Sequence, residues 1–122
     1  MNAYVLKYGH LIDSTSCIAF QARREASREF AFAVPTHESI LAFKEVVRLH
    51  GLRGVLEVGA GTGFWASLIA AEGLDVRALE HEGDRAEWKF QNEFHPLEMG
   101  DSRWIKEQIA TESRSEEHTS EL

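Results

Sequence analysis

The chain is poor in residues that cross-link, span membranes or bind polyanions. Its one cysteine, Cys17, allows no internal disulfide framework, and a reducing cytoplasm is the expected compartment. Nothing around Cys17 supports a nucleophile, and small buried cysteines are common. Basic residues are outnumbered, 13 Lys and Arg against 20 Asp and Glu, and the net charge of −7 disfavours nucleic acid and anionic membranes as partners. The one basic cluster, Arg23, Arg24 and Arg28, is interleaved with Glu25 and Glu29. That spacing predicts an ion-paired, solvated helix face. The opening "MNAYVLKYGHLIDS" has no apolar segment long enough for a signal peptide or membrane span, so a soluble, unexported protein is expected. The histidines show neither H-x-x-x-H nor Cys/His spacing, and no metal site is expected.

What is present suffices for a core. An apolar fraction of 43% over 122 residues predicts one small globular domain. Residues 1–33 read as an N-terminal extension of helix and loop: "FQARREASREFAF" has helical composition, and Gly9, His10, Asp13 and Ser14 are loop formers. Pro35 then stops what precedes it, Thr36 is an N-cap candidate, and Glu38 falls in the first turn of the next helix. Ile40, Phe43 and Val47 recur at helical spacing as a core face, and Gly51 fits the position after the helix end.

Residues 34–113 carry the pattern of an α/β domain. Val55 to Val58 is a short apolar run, as expected of a strand covered on both faces. Phe64 to Ala71 has a helix former's composition, with Gly73 as its stop. Val76 to Leu79 is a second run ending at Glu80; "GDRAEWKFQNEF" predicts a helix, and "HPLEMGD" a third strand closing at Gly100–Asp101. Strand, helix, strand, helix, strand calls for a parallel sheet with crossover helices, a Rossmann-like doubly wound arrangement.

Between the first strand and its helix stands Gly59-Ala60-Gly61-Thr62-Gly63, with Glu57 just before it. Glycines at the carboxyl end of such a strand permit positive φ and let a ligand approach bare main chain. A dinucleotide fingerprint, G-x-G-x-x-G, would place its last glycine where Phe64 stands. A P-loop fails because no G-K-[ST] follows.

The form E-x-G-x-G-x-G, here "EVGAGTG", resembles motif I of the class I S-adenosylmethionine-dependent methyltransferases. The resemblance runs from Phe30 to Asp101 through "FAVPTHESILAF", "VLEVGAGTGFWASLI", an acid ending the second strand, and "FHPLEMGD". It implies S-adenosylmethionine as cofactor, held by Glu57, Gly59, Ala60, Gly61, Thr62, Gly63, Glu80 and Asp101. Glu57 would meet the ammonium, the N–H groups of Gly61 to Gly63 the carboxylate, Glu80 the ribose diol and Asp101 the adenine amino group. Taken singly, Glu57 also reads as a salt-bridged strand-end residue, and Glu80 and Asp101 as loop acids. Trp65, directly after the turn, is expected near the pocket; Trp88 and Trp104 read as packing residues, and His81 as a loop histidine.

The resemblance also implies a seven-stranded sheet of which this chain supplies the first three strands, so the domain is read as truncated. The final nine residues, "RSEEHTSEL" (114–122), resemble the conceptual translation of a sequencing-library adapter and are read as a non-native tail. The implied activity is methyl transfer to an unknown acceptor, a small molecule or protein rather than nucleic acid, with no catalytic base assigned and the fragment expected inactive. An NAD(P)-binding oxidoreductase fragment and a non-catalytic cofactor-binding or interaction domain are the alternatives.

Overall fold

The computed structural model describes residues 2–11 and 20–120; Asp13, Ser14 and Cys17 lie outside the described residues. The architecture is α/β: three parallel strands with helices packed on them. Strand β1 (Val55–Val58) pairs with β2 (Val76–His81) from Val55↔Val76 to Val58↔Leu79, and β2 pairs with β3 (Leu97–Gly100) from Ala78↔Leu97 to His81↔Gly100. The order β1-β2-β3 is compatible with half of a Rossmann-like sheet. Among the described residues no helix is long and apolar enough to cross a membrane.

The N-terminal segment forms helices α1 (Ala3–Tyr8) and α2 (Phe20–Glu29), with a short 3-10 turn at Gly9–Leu11. Asn2 caps α1 by accepting the Val5 N–H at 2.9 Å. These helices share a core with the sheet domain: Tyr4, Tyr8, Ala26 and Phe30 pack with Phe64, the first residue of α4 (Phe64–Ala71). The charge pattern of α2 resolves differently from the expected solvated face. Glu29 reaches across to α1, where Lys7 Nζ lies 2.7 Å away and the Tyr8 hydroxyl donates at 2.7 Å, while Arg23 rests over the Phe32 ring. Contacts between elements outbid pairs within one helix, because a half-buried carboxylate gains more from a fixed partner than from a solvated one.

Helix α3 (His37–Leu49) starts and stops as its sequence dictates: the Thr36 side chain accepts the Ser39 N–H at 3.1 Å, and Gly51 takes a φ of +60°. Ile40 and Val47 are buried, but Phe43 is 38% exposed. The main packing partner of the helix is α4, and a single partner covers only part of an amphipathic face. Strand β1 likewise departs from the expected cover on both faces, since it is an edge strand and Val58 is half-exposed.

Helix α5 (Glu82–Trp88) is shorter than its composition predicts, ending at Lys89 with a φ of +53°. Tertiary bonds capture the backbone beyond it: Gln91 donates to the Arg28 carbonyl at 3.0 Å and Phe94 to the Thr62 carbonyl at 2.8 Å, while the Asn92 side chain donates to the Glu29 carbonyl. Phe94 then stacks on Phe30 and meets Phe64 edge-on, with centroids 5.7 and 4.9 Å apart. A helix through Phe94 would forfeit these contacts. Helix α6 (Ser102–Ser120) closes the described chain and includes residues 114–120 of the tail. Arg77 of β2 ties it down, donating to Glu112 at 2.7 Å and Gln108 at 2.9 Å while also pairing with Glu98 of β3.

Candidate functional site

The glycine turn forms because three of its residues occupy the left-handed region, with φ of +79° at Gly59, +59° at Gly61 and +75° at Gly63. Side-chain-bearing residues adopt that region at a cost of about 1 kcal/mol or more each. The two residues between the glycines anchor the turn. Ala60 packs with Ala66 and Ala78, and small side chains there let α4 lie close on the sheet. Thr62, 1% exposed, donates its hydroxyl to the Phe30 carbonyl. From outside, Arg85 of α5 donates to the Gly61 carbonyl at 3.0 Å. The turn is held by these three anchors before any ligand arrives.

Above it opens a cleft of about 580 Å³. Glu57, Gly59, Ala60, Gly61 and Thr62 form one side, and the loop between α2 and α3 forms the other. A Cβ placed on Gly59 would meet no atom within 4 Å, so the main chain is open there, whereas at Gly61 the Phe90 ring lies 3.4 Å from that position. Gly63 is different: its absent Cβ would stand 3.2 Å from the His95 backbone, a packing constraint rather than a ligand-facing one. A second cleft, about 370 Å³, opens at the other ends of the strands around Arg53, Gly54 and Asp75; ligands of parallel sheets bind at the carboxyl ends.

The three acids fare differently. Glu57 lines the cleft, and its Oε2 is buried with no hydrogen-bond partner. Burial pushes this carboxyl up to about 7, the Glu80 charge adds to the rise, and the Ala66 N–H opposes it. Glu80 is 4% exposed and not part of the cleft lining. One of its oxygens accepts the Gly61 N–H, and the other accepts the His81 N–H at 2.9 Å. Asp101 is exposed at the end of β3 and accepts the Trp104 N–H at 2.8 Å, which makes it the cap of α6. The structure therefore brings Glu57, Gly59, Ala60, Gly61 and Thr62 to one cleft, sets Glu80 against the turn, and leaves Gly63 and Asp101 outside the cleft lining. The Gly61 and Gly63 N–H groups, expected to face a ligand carboxylate, are instead taken by Glu80 and by the Ala60 carbonyl.

Trp65 does line the cleft, its indole N–H donating to the Ala33 carbonyl at 3.0 Å. Trp104 packs against Gly100, and the Trp88 side chain lies outside the described structure. His81 caps α5, its Nδ1 accepting the Gly83 N–H at 3.1 Å. Sequence reasoning missed Phe32 and Phe90, which complete the aromatic lining. The run "FAFAV" gave a faint signal for Phe32, an aromatic in a loop just before a helix; Phe90 was hidden inside a segment read as helix.

Comparison with known proteins returns nothing. No family model, curated protein or solved structure matches the chain. The site therefore stands on its own chemistry: an apolar cleft, main chain left open at Gly59, and a carboxyl with one unpartnered oxygen.

Proposed function

We propose that the cleft binds S-adenosylmethionine and that the chain is the cofactor-binding part of a methyltransferase. The observation that carries this reading is Glu57, a carboxyl with a buried, orphaned oxygen in the lining of a cleft whose main chain is bare at Gly59. A buried polar atom without a partner is costly, and an incoming ammonium would supply that partner. Glu57 would hold the amino group of the ligand, and the exposed stretch around Gly59 would take the main body of its amino-acid end. A diol at the tip of β2 would have to compete with the Gly61 N–H for Glu80. The bound sulfonium would supply an activated methyl group, leaving the protein to align acceptor and donor and to exclude water. The acceptor is a small molecule or protein, and the compartment the cytoplasm, in keeping with the net charge and the single cysteine.

The nicotinamide alternative fits less well. The position that would need its third glycine is Phe64, 4% exposed and packed in the aromatic core. A titration followed by amide chemical shifts separates the two. S-adenosylhomocysteine is expected to move the Gly59 to Gly63 signals and NAD to leave them in place. Binding of NAD alone would overturn the assignment. Affinity is expected to be weaker than micromolar, since β1 is an edge strand and no strand beyond it adds a wall to the crevice.

A further inference from the structure

The rings around Glu57 indicate which cation the cleft suits. Phe32, Trp65 and Phe90 all line it, with Ala31 and Ala33 between them. Each ring is placed by a separate device. The Trp65 indole is tied to the Ala33 carbonyl. Phe90 lies over the turn, its Cζ 3.4 Å from where a Gly61 Cβ would stand. Phe32 is 71% exposed and already accepts a cation at the rim, with the Arg23 guanidinium carbon 5.3 Å from its centroid. Aromatic faces attract positive charge, and they favour weakly hydrated organic cations, which surrender little water on entering. A small, strongly hydrated ion gains far less there.

We infer that the cleft is an onium site, in which Phe32, Trp65 and Phe90 face the alkyl groups of a quaternary ammonium centre and Glu57 supplies the counter-charge, releasing its proton to solvent as the cation enters. The inference rests on the reading of this cleft as the ligand site, but not on the adenosyl part of the ligand. A fixed-charge cation cannot lose a proton to suit an apolar cleft, so the carboxyl must change state instead. The charge that acts on it is Glu80 from β2; the cations at the turn and at Phe32 are Arg85 from α5 and Arg23 from α2. Glu80 disfavours ionisation of Glu57 and is itself satisfied by two backbone N–H groups. Arg85 is held on the Gly61 carbonyl and Arg23 lies over Phe32, and Glu57 Oε2 is bonded to neither.

The test is a titration of the whole chain with choline and with dimethylbutanol, its neutral carbon isostere. At pH 8 choline is expected to bind about tenfold more tightly than the alcohol, the ratio set by cation–π and charge pairing. Choline affinity should fall about tenfold per pH unit below about 7 and level off above it. Glu57→Gln should abolish that pH dependence. Phe32→Leu, at an exposed position, should weaken choline several-fold more than it weakens the alcohol, because only the cation loses the ring's electrostatic attraction. Equal affinity for the two probes, or no choline binding, overturns the onium site; choline binding that ignores pH overturns the proton exchange. S-adenosylhomocysteine run in parallel separates the two readings. Choline binding without it removes the cofactor assignment and keeps the onium site, and the reverse result does the opposite.

Discussion

Glu57 and Glu80 lie diagonally across the β1–β2 pair, with Glu57 opposite Ala78 and Glu80 two residues further along. Glu80 gives both oxygens to backbone N–H groups, whereas Glu57 leaves Oε2 buried and unpartnered. Two acids of one sequence pattern are thus placed differently: one fixes the turn, the other lines the cleft with one oxygen unpartnered.

The first prediction concerns pH and stability. Burial, assisted by the Glu80 charge, raises Glu57 from 4.5 to about 7 in the folded state. A folded state that holds its proton more tightly than the unfolded chain loses stability as pH rises. The favourable contribution is complete below about 4.5 and gone above about 7. Allowing for partial exposure, the loss is roughly 1–3 kcal/mol. Glu57→Gln should therefore be the more stable protein at pH 8 and lose that advantage near pH 4, as read by urea denaturation at the two values.

Ligand affinity should respond in the opposite sense. Glu57→Ala is expected to weaken binding of the adenosyl ligand by more than it changes the melting temperature. A variant that bound normally and melted much earlier would make Glu57 a structural residue.

Glu80→Ala removes the acceptor for Gly61 and His81 in a buried setting. Losing hydrogen bonds to a charged group should cost roughly 2–3 kcal/mol. Faster amide hydrogen exchange at Gly61 in the variant, measured without ligand, would locate that loss in the turn.

The glycines should separate by role. Gly59→Ala meets no atom within 4 Å, so its stability cost is the left-handed strain alone, about 1 kcal/mol. Its larger effect should be on ligand affinity. Gly63→Ala adds a clash with the His95 backbone at 3.2 Å and should cost about 2 kcal/mol or more. Thermal melts of the two variants, with a ligand titration of the first, check both.

Tyr4 is fully buried, and its hydroxyl has no hydrogen-bond partner. Removing an unsatisfied buried polar atom is neutral or stabilising. Tyr4→Phe should melt at or above the parent temperature, with the ring contacts to Tyr8, Phe30 and Phe64 kept.

Local chemistry alone determined much of this protein. The apolar run at Val55–Val58, the glycines that follow it and the helix formers of Phe64–Ala71 specify a strand, a turn and a helix, because backbone sterics and short-range propensity act over a few residues. The same holds for Thr36 and Gly51 at the ends of α3. Tertiary structure decided what those elements meet. The packing of Phe94 on Phe30 and Phe64, with the tertiary bonds of Gln91, Asn92 and Phe94, stops α5 at Trp88 and sends Phe90 into the cleft. Likewise, only the fold sets Glu80 against the Gly61 N–H, Asp101 on α6 and Phe32 beside Trp65. A side chain's partner depends on residues distant in sequence, and in a small domain such contacts outweigh the weak local preferences that sequence patterns record.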